Sequence, residues 1–169
     1  MLKRYMFLML LVASSVTAAQ MTDSMSKRPG DSSHGSVQNL PTTDCPWLTK
    51  GTAADALRGD VNLSVSMSNM DNGTCRFSRQ QKPSGVLEII VSKSALQTCP
   101  PNSQDITGVG NSAKECSGRA HHGEATAMIS GQTRNTYFTV RLTLHAKKDD
   151  PELNAAVEAI AEEVAGNLY

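Results

Sequence analysis

The sequence predicts an α+β domain built as an antiparallel sheet of about five strands, with a short N-terminal helix and a long C-terminal helix packed on one face. Three observations carry this. Residues 61–68 and 136–145 alternate apolar and polar side chains with a period of two. Residues 151–168 carry apolar side chains at helical spacing. Turn-forming clusters separate the runs.

Taken in order, Thr52-Ala53-Ala54-Asp55 has the form of a capping box with Asp in place of Glu, followed by Ala56-Leu57-Arg58 and a stop at Gly59, which predicts a short helix. Val61, Leu63, Val65 and Met67 then alternate with Asn62, Ser64, Ser66 and Ser68, a strand with one wet face. Asp71-Asn72-Gly73 turns the chain into a second strand over 74–79 that buries Cys75 and Phe77. Lys82-Pro83-Ser84-Gly85 turns it again into a third over 86–91. The near-continuous Val-Leu-Glu-Ile-Ile-Val run of that strand predicts a central position with both faces largely covered.

Between 92 and 117 the periodicity fades. Cys99-Pro100-Pro101-Asn102 continues neither a helix nor a central strand, so this stretch reads as a long connection. Residues 124–130 and 136–145 then form a hairpin around 131–135, with Phe138, Val140, Leu142 and Leu144 on one face and Tyr137, Thr139, Arg141 and Thr143 on the other. Asp150 is a good N-cap and Pro151 suits the first helical position. Leu153, Val157, Ile160, Ala161, Val164 and Leu168 fall on one stripe of the helix that follows.

Ahead of this domain, Lys3 and Arg4 precede an apolar run over 5–12 and the small residues of 13–19, the three parts of a cleavable export signal ending after Ala19. The apolar run is about half the ~20 residues needed to span a bilayer. The first cysteine, Cys45, lies too far downstream for lipidation, so no stable membrane anchor is expected after cleavage, and the chain is read as periplasmic or secreted. Residues 20–40, rich in Ser, Asp, Gly and Gln, read as a disordered spacer, leaving 41–169 for one domain with an aliphatic core. With Lys3 and Arg4 removed, 14 of the 16 basic side chains remain against 16 acidic ones, a balance that argues against nucleic acid as a partner.

Four cysteines, Cys45, Cys75, Cys99 and Cys116, in an exported domain predict two disulfides. Three pairings are possible. Joining Cys45 to Cys75 and Cys99 to Cys116 closes the shortest loops and is preferred, each bridge stabilising by about 3 kcal/mol. Neither CxxC nor a Cys/His cluster at zinc spacing occurs, so no metal or cofactor is implied.

The succession Cys45-Pro46-Trp47-Leu48-Thr49, Gly73-Thr74-Cys75-Arg76-Phe77, Ile106-Thr107-Gly108-Val109-Gly110-Asn111-Ser112-Ala113 and a final Val164-Ala165-Gly166-Asn167-Leu168 helix resembles a family of small exported bacterial domains of unknown function that includes many actinobacterial lipoproteins. The chain departs from the lipoprotein members in lacking a lipidated cysteine. The resemblance bears on fold and compartment, brings no catalytic residue, and implies that Cys45 pairs with Cys75.

His121, His122 and Glu124, with Glu115 nearby, form the densest group of acid/base or ligating side chains. Adjacent strand residues point to opposite faces, which works against His121 and His122 sharing a metal, and an exposed polar turn is the simpler reading. His145 closes a strand and reads as an edge residue. Gly108-Val109-Gly110 lacks the Lys-Ser/Thr pair of a phosphate loop and reads as a turn. No Gly-x-Ser-x-Gly elbow or HExxH helix occurs. The expected function is therefore a non-catalytic binding module of the cell envelope for a protein or small apolar ligand. The alternatives are a small hydrolase or metal-dependent enzyme using His121, His122 and Glu124, or a secreted inhibitor presenting the Cys99–Cys116 loop.

Overall fold

A computed structural model of the chain describes residues 43–96, 99–100, 103–146 and 150–169. The expected export signal (1–19) and spacer (20–40) lie outside these residues. The described chain forms helix α1 (Lys50–Leu57), strands β1 (Val61–Asn69), β2 (Asn72–Arg79), β3 (Gly85–Ser92), β4 (Gln104–Ile106), β5 (Ser112–His121), β6 (Glu124–Thr133) and β7 (Thr136–His145), and helix α2 (Pro151–Asn167). All strands join one antiparallel sheet in the order β1-β2-β3-β7-β6-β5-β4.

The strand count of about five is thus corrected to seven. The additional strands are β4, inside the stretch read as a connection, and β5, which begins in that stretch and runs beyond it to His121. In β5 the inward positions are Ala113 and Glu115 and the outward ones Lys114 and Cys116, so no apolar alternation marks it. A register shift between Cys116 and Arg119 then breaks the parity that a period-two search relies on. The three-residue β4 is too short to show a period at all.

The short helix is also placed differently. Thr49, not Thr52, is its N-cap, accepting from the Thr52 backbone N–H at 3.1 Å. Arg58, not Gly59, takes the left-handed position at its C-terminus (φ 57°). At the other end of the chain, Asp150 caps α2 by accepting from the Glu152 N–H, and Pro151 opens its first turn.

Cross-strand partners share a face, so the register sorts the sheet into two sides. The inner side carries Phe77, Leu87, Ile89, Val140, Leu142 and Ile129, all essentially inaccessible to water. Against it α1 packs on β1, β2 and β3, and α2 on β6 and β7. Ala125 and Ala127 keep the floor low beneath α2, whose Leu153, Val157, Ile160, Ala161 and Val164 are buried. Full burial of a side chain such as Leu87 or Val157 stabilises by about 1.5–3 kcal/mol. Because both helices take the inner side, the outer side of β3 is only half covered: Val86, Glu88, Ile90 and Ser92 are intermediate in exposure. Its place inside the sheet, between β2 and β7, agrees with the apolar run.

The β6–β7 loop is tighter than expected. Strand pairing continues to Thr133 opposite Thr136, so only Arg134 and Asn135 turn the chain, with Arg134 at φ 53°. At the N-terminal end, Trp47 and Leu48 are buried. The Trp47 indole donates to the Met70 carbonyl at 3.3 Å and the Asn167 amide donates to the Trp47 carbonyl at 3.0 Å, tying this segment to both the β1–β2 turn and the end of α2.

Candidate functional site

Two disulfides are formed, Cys45–Cys75 and Cys99–Cys116, and no cysteine is free. Cys75 lies in the inner row with Val65, Ile89 and Val140. Cys116 lies opposite Met128, which is opposite Arg141, which is opposite Glu88, so it belongs to the outer side. The second bridge therefore draws the chain around Cys99 onto the uncovered face of the sheet.

That face is polar and ordered in rows. The Thr126 and Thr143 hydroxyls meet at 2.9 Å and those of Ser130 and Thr139 at 3.2 Å. In the row between them the Glu88 carboxylate accepts from Arg76 on one side and Arg141 on the other, both at 3.3 Å. The second Arg141 Nη reaches the Met128 sulfur at 3.7 Å.

Where Ala95, Leu96, Cys99 and Pro100 lie against this face they border an open cavity of about 370 Å³. Ala95, Leu96, Cys99 and Pro100 give it apolar walls. Ser130, Gln132 and Tyr137 contribute polar atoms, and at one side Lys114 and Asp105 form an ion pair at 2.9 Å. A second, shallower depression of similar size lies over β1, β2 and β3, between Ser66, Thr74 and Ile90, and Leu96 lines both. The half-buried Leu96 side chain thus divides a groove that crosses the strands.

The polar group singled out in the sequence lies elsewhere. His121 ends β5, His122 sits in the turn at φ 52°, and Glu124 begins β6, so the group is at the far end of the hairpin from Ser130 and Gln132, about 20 Å away at 3.4 Å per residue. Pairing sets Glu124 opposite both His121 and His145, an association with β7 that no sequence spacing signals. The two imidazoles meet edge to face at 3.9 Å between centroids, and the Glu124 carboxylate accepts from the Ser84 hydroxyl at 2.7 Å. All of these side chains except Ser84's partner interaction look outward to solvent, His121, His122, Glu124 and His145 being exposed. Among the described residues no group of three or more His, Cys, Asp or Glu side chains is arranged to hold a metal ion. Glu115, the fourth member of the sequence group, points to the inner side opposite Ile129 and stands apart from the histidines.

Gly108-Val109-Gly110 is the turn from β4 into β5. Both glycines have positive φ, Val109 is buried, and the Asn111 N–H donates to the Gln132 carbonyl at 2.8 Å, closing the turn on β6. The residues that do line the cavity, Lys114, Ser130, Gln132 and Tyr137, carry no motif. What pointed toward them is the proline-bounded, cysteine-bridged connection.

No helix among the described residues is long and apolar enough to cross a membrane. No protein-family model matches the chain, and no curated protein is significantly similar to it.

Proposed function

We propose that this chain is an exported, non-catalytic binding module of the cell envelope whose ligand site is the cavity between the outer sheet face and the Cys99–Cys116 connection. The observation that carries the reading is that cavity: its volume of about 370 Å³ falls in the range of small-molecule sites, and its walls are mainly apolar with a few convergent polar groups. A ligand with a compact apolar body and one hydrogen-bonding or anionic end fits this lining, the body against Ala95, Leu96 and Pro100 and the polar end toward Lys114, Gln132 or Tyr137. Export is supported by the leader-like segment 1–19 and by two disulfides, which persist in oxidising compartments.

A second reading, a protein seated on the outer face, is favoured by the half-exposed Arg76–Glu88–Arg141 row, which carries an excess of one positive charge in the middle of that face. A hydrolytic role for His121, His122 and Glu124 has less behind it, since Glu124 is engaged by Ser84 and the side chains stand exposed about a hairpin turn.

Native mass spectrometry of the protein purified from its own compartment distinguishes these readings. The cavity reading expects a small non-covalent adduct on the wild type that is absent from Ser130→Trp, in which the indole fills the space. Bare chain in both samples counts against it, and recovery of a stoichiometric protein partner instead, lost on Arg141→Ala, favours the second reading.

A further inference from the structure

We infer that β1 is a strand-pairing edge and that its partner is a second copy of this chain. The sheet has two edges, and they are built differently. The β4 edge is three residues long and carries Asp105, ion-paired to Lys114, so it is both short and charged, two of the ways natural sheets prevent association. The β1 edge has none of these protections. Val-Asn-Leu-Ser-Val-Ser-Met-Ser-Asn contains no charge, no proline and no glycine, and its pairing with β2 is regular from Val61 to Met67, with the single irregularity between Met67 and Asn69 at the hairpin end.

Among the described residues nothing pairs with the free side of β1, so a row of backbone N–H and C=O groups is left for solvent or a partner. The side chains beside that row are incompletely covered. Because α2 lies over β6 and β7, Leu63, Val65 and Met67 on the inner side remain half-exposed, while Asn62, Ser64, Ser66 and Ser68 on the outer side are fully exposed. A complementary strand brings apolar residues inward and polar residues outward in alternation.

β1 itself meets this requirement. Laid antiparallel to its own copy about a two-fold axis normal to the sheet, it keeps inner residues on the inner side in every register centred on a residue, and the two nearest the middle of the strand serve as examples. Centred on Ser64, Leu63 meets Val65, Val61 meets Met67 and Asn62 meets Ser66. Centred on Val65, Leu63 meets Met67, Ser64 meets Ser66 and Asn62 meets Ser68. In neither register do like charges face each other, because the strand has none to oppose. The closed two-fold arrangement uses each β1 once, so association through β1 stops at two copies.

The test is the mass in solution of the exported chain by sedimentation from micromolar to submillimolar concentration. Wild type is expected to shift from monomer toward dimer. Ser64→Lys with Ser66→Lys places lysines on exposed outer positions, so folding is retained, as circular dichroism and melting temperature verify, and the dimer is lost in either register. Ser64→Glu with Ser66→Glu behaves the same alone. Mixing the two variants restores a dimer containing one of each. A wild type that stays monomeric throughout overturns the inference, as does a dimer that survives the lysine variant or a mixture that remains monomeric. The last outcome would leave β1 to some other strand, the chain's own N-terminal residues or a foreign peptide.

Discussion

Cys75 and Cys116 lie on opposite sides of the same sheet, Cys75 in the buried row of Ile89 and Val140 and Cys116 in the outer row of Met128 and Arg141. The two disulfides therefore hold different things. Cys45–Cys75 fastens the segment bearing Trp47 and Leu48 to the core, and Cys99–Cys116 fastens the cavity wall to the open face.

The sequence separations of 30 and 17 residues give both bridges a chain-entropy contribution of about 3–4 kcal/mol. Their removal should nonetheless read out differently. Cys45→Ala with Cys75→Ala is expected to lower the denaturant midpoint and loosen Trp47, seen as a red shift of its fluorescence. Cys99→Ala with Cys116→Ala is expected to leave the Trp47 emission in place while probe binding at the cavity is lost.

Gly131 is set in β6 where an added Cβ would come within 2.6 Å of the Phe138 ring and 3.0 Å of the Ser112 carbonyl. Gly131→Ala should cost about 1–3 kcal/mol through overpacking, and a Phe138→Leu background should recover part of that loss, measured by urea denaturation. Additive losses in the double variant would contradict the contact.

The Thr133 hydroxyl is fully buried with no hydrogen-bond partner among the described residues. Thr133→Val keeps the shape and removes the unsatisfied oxygen, so a gain of about 1 kcal/mol is expected in the same denaturation assay. A loss of that size would mean that the oxygen has a partner.

If residues 1–19 are an export signal, the protein recovered from the periplasm or medium has an intact mass that begins at Gln20 and lacks four hydrogens relative to the fully reduced chain. Recovery from the cytoplasm alone, with a mass beginning at Met1, contradicts the export reading.

Elements whose pattern is written in neighbouring residues were legible. The unbroken alternation of β7 and the Asp150-Pro151 start of α2 are local signals, and each matches its element. β5 was not legible because its inward side chains include Glu115, its outward ones include Cys116, and its bulge resets the phase. The Thr49 cap was missed because Thr52, three residues on, offers an equally suitable hydroxyl, and the two in fact lie 3.0 Å apart. The candidate site is farther from reach. Lys114, Ser130 and Tyr137 come from three strands and meet Leu96 only because the helices take the other face and the Cys99–Cys116 bridge folds the connection over this one. His121 and His122 stood out as a cluster because they are adjacent in sequence, yet Glu124 turns to Ser84, forty residues away along the chain.

Occupancy of the cavity by a small, partly apolar ligand is tested by a fluorescence titration with 8-anilinonaphthalene-1-sulfonate, whose apolar rings and anionic end match the Leu96 wall and the Lys114 side. Saturable binding of one probe per chain to the folded wild type is expected, with its loss in Ser130→Trp at unchanged melting temperature. Absence of saturable binding to the wild type, or equal binding by Ser130→Trp, would contradict it.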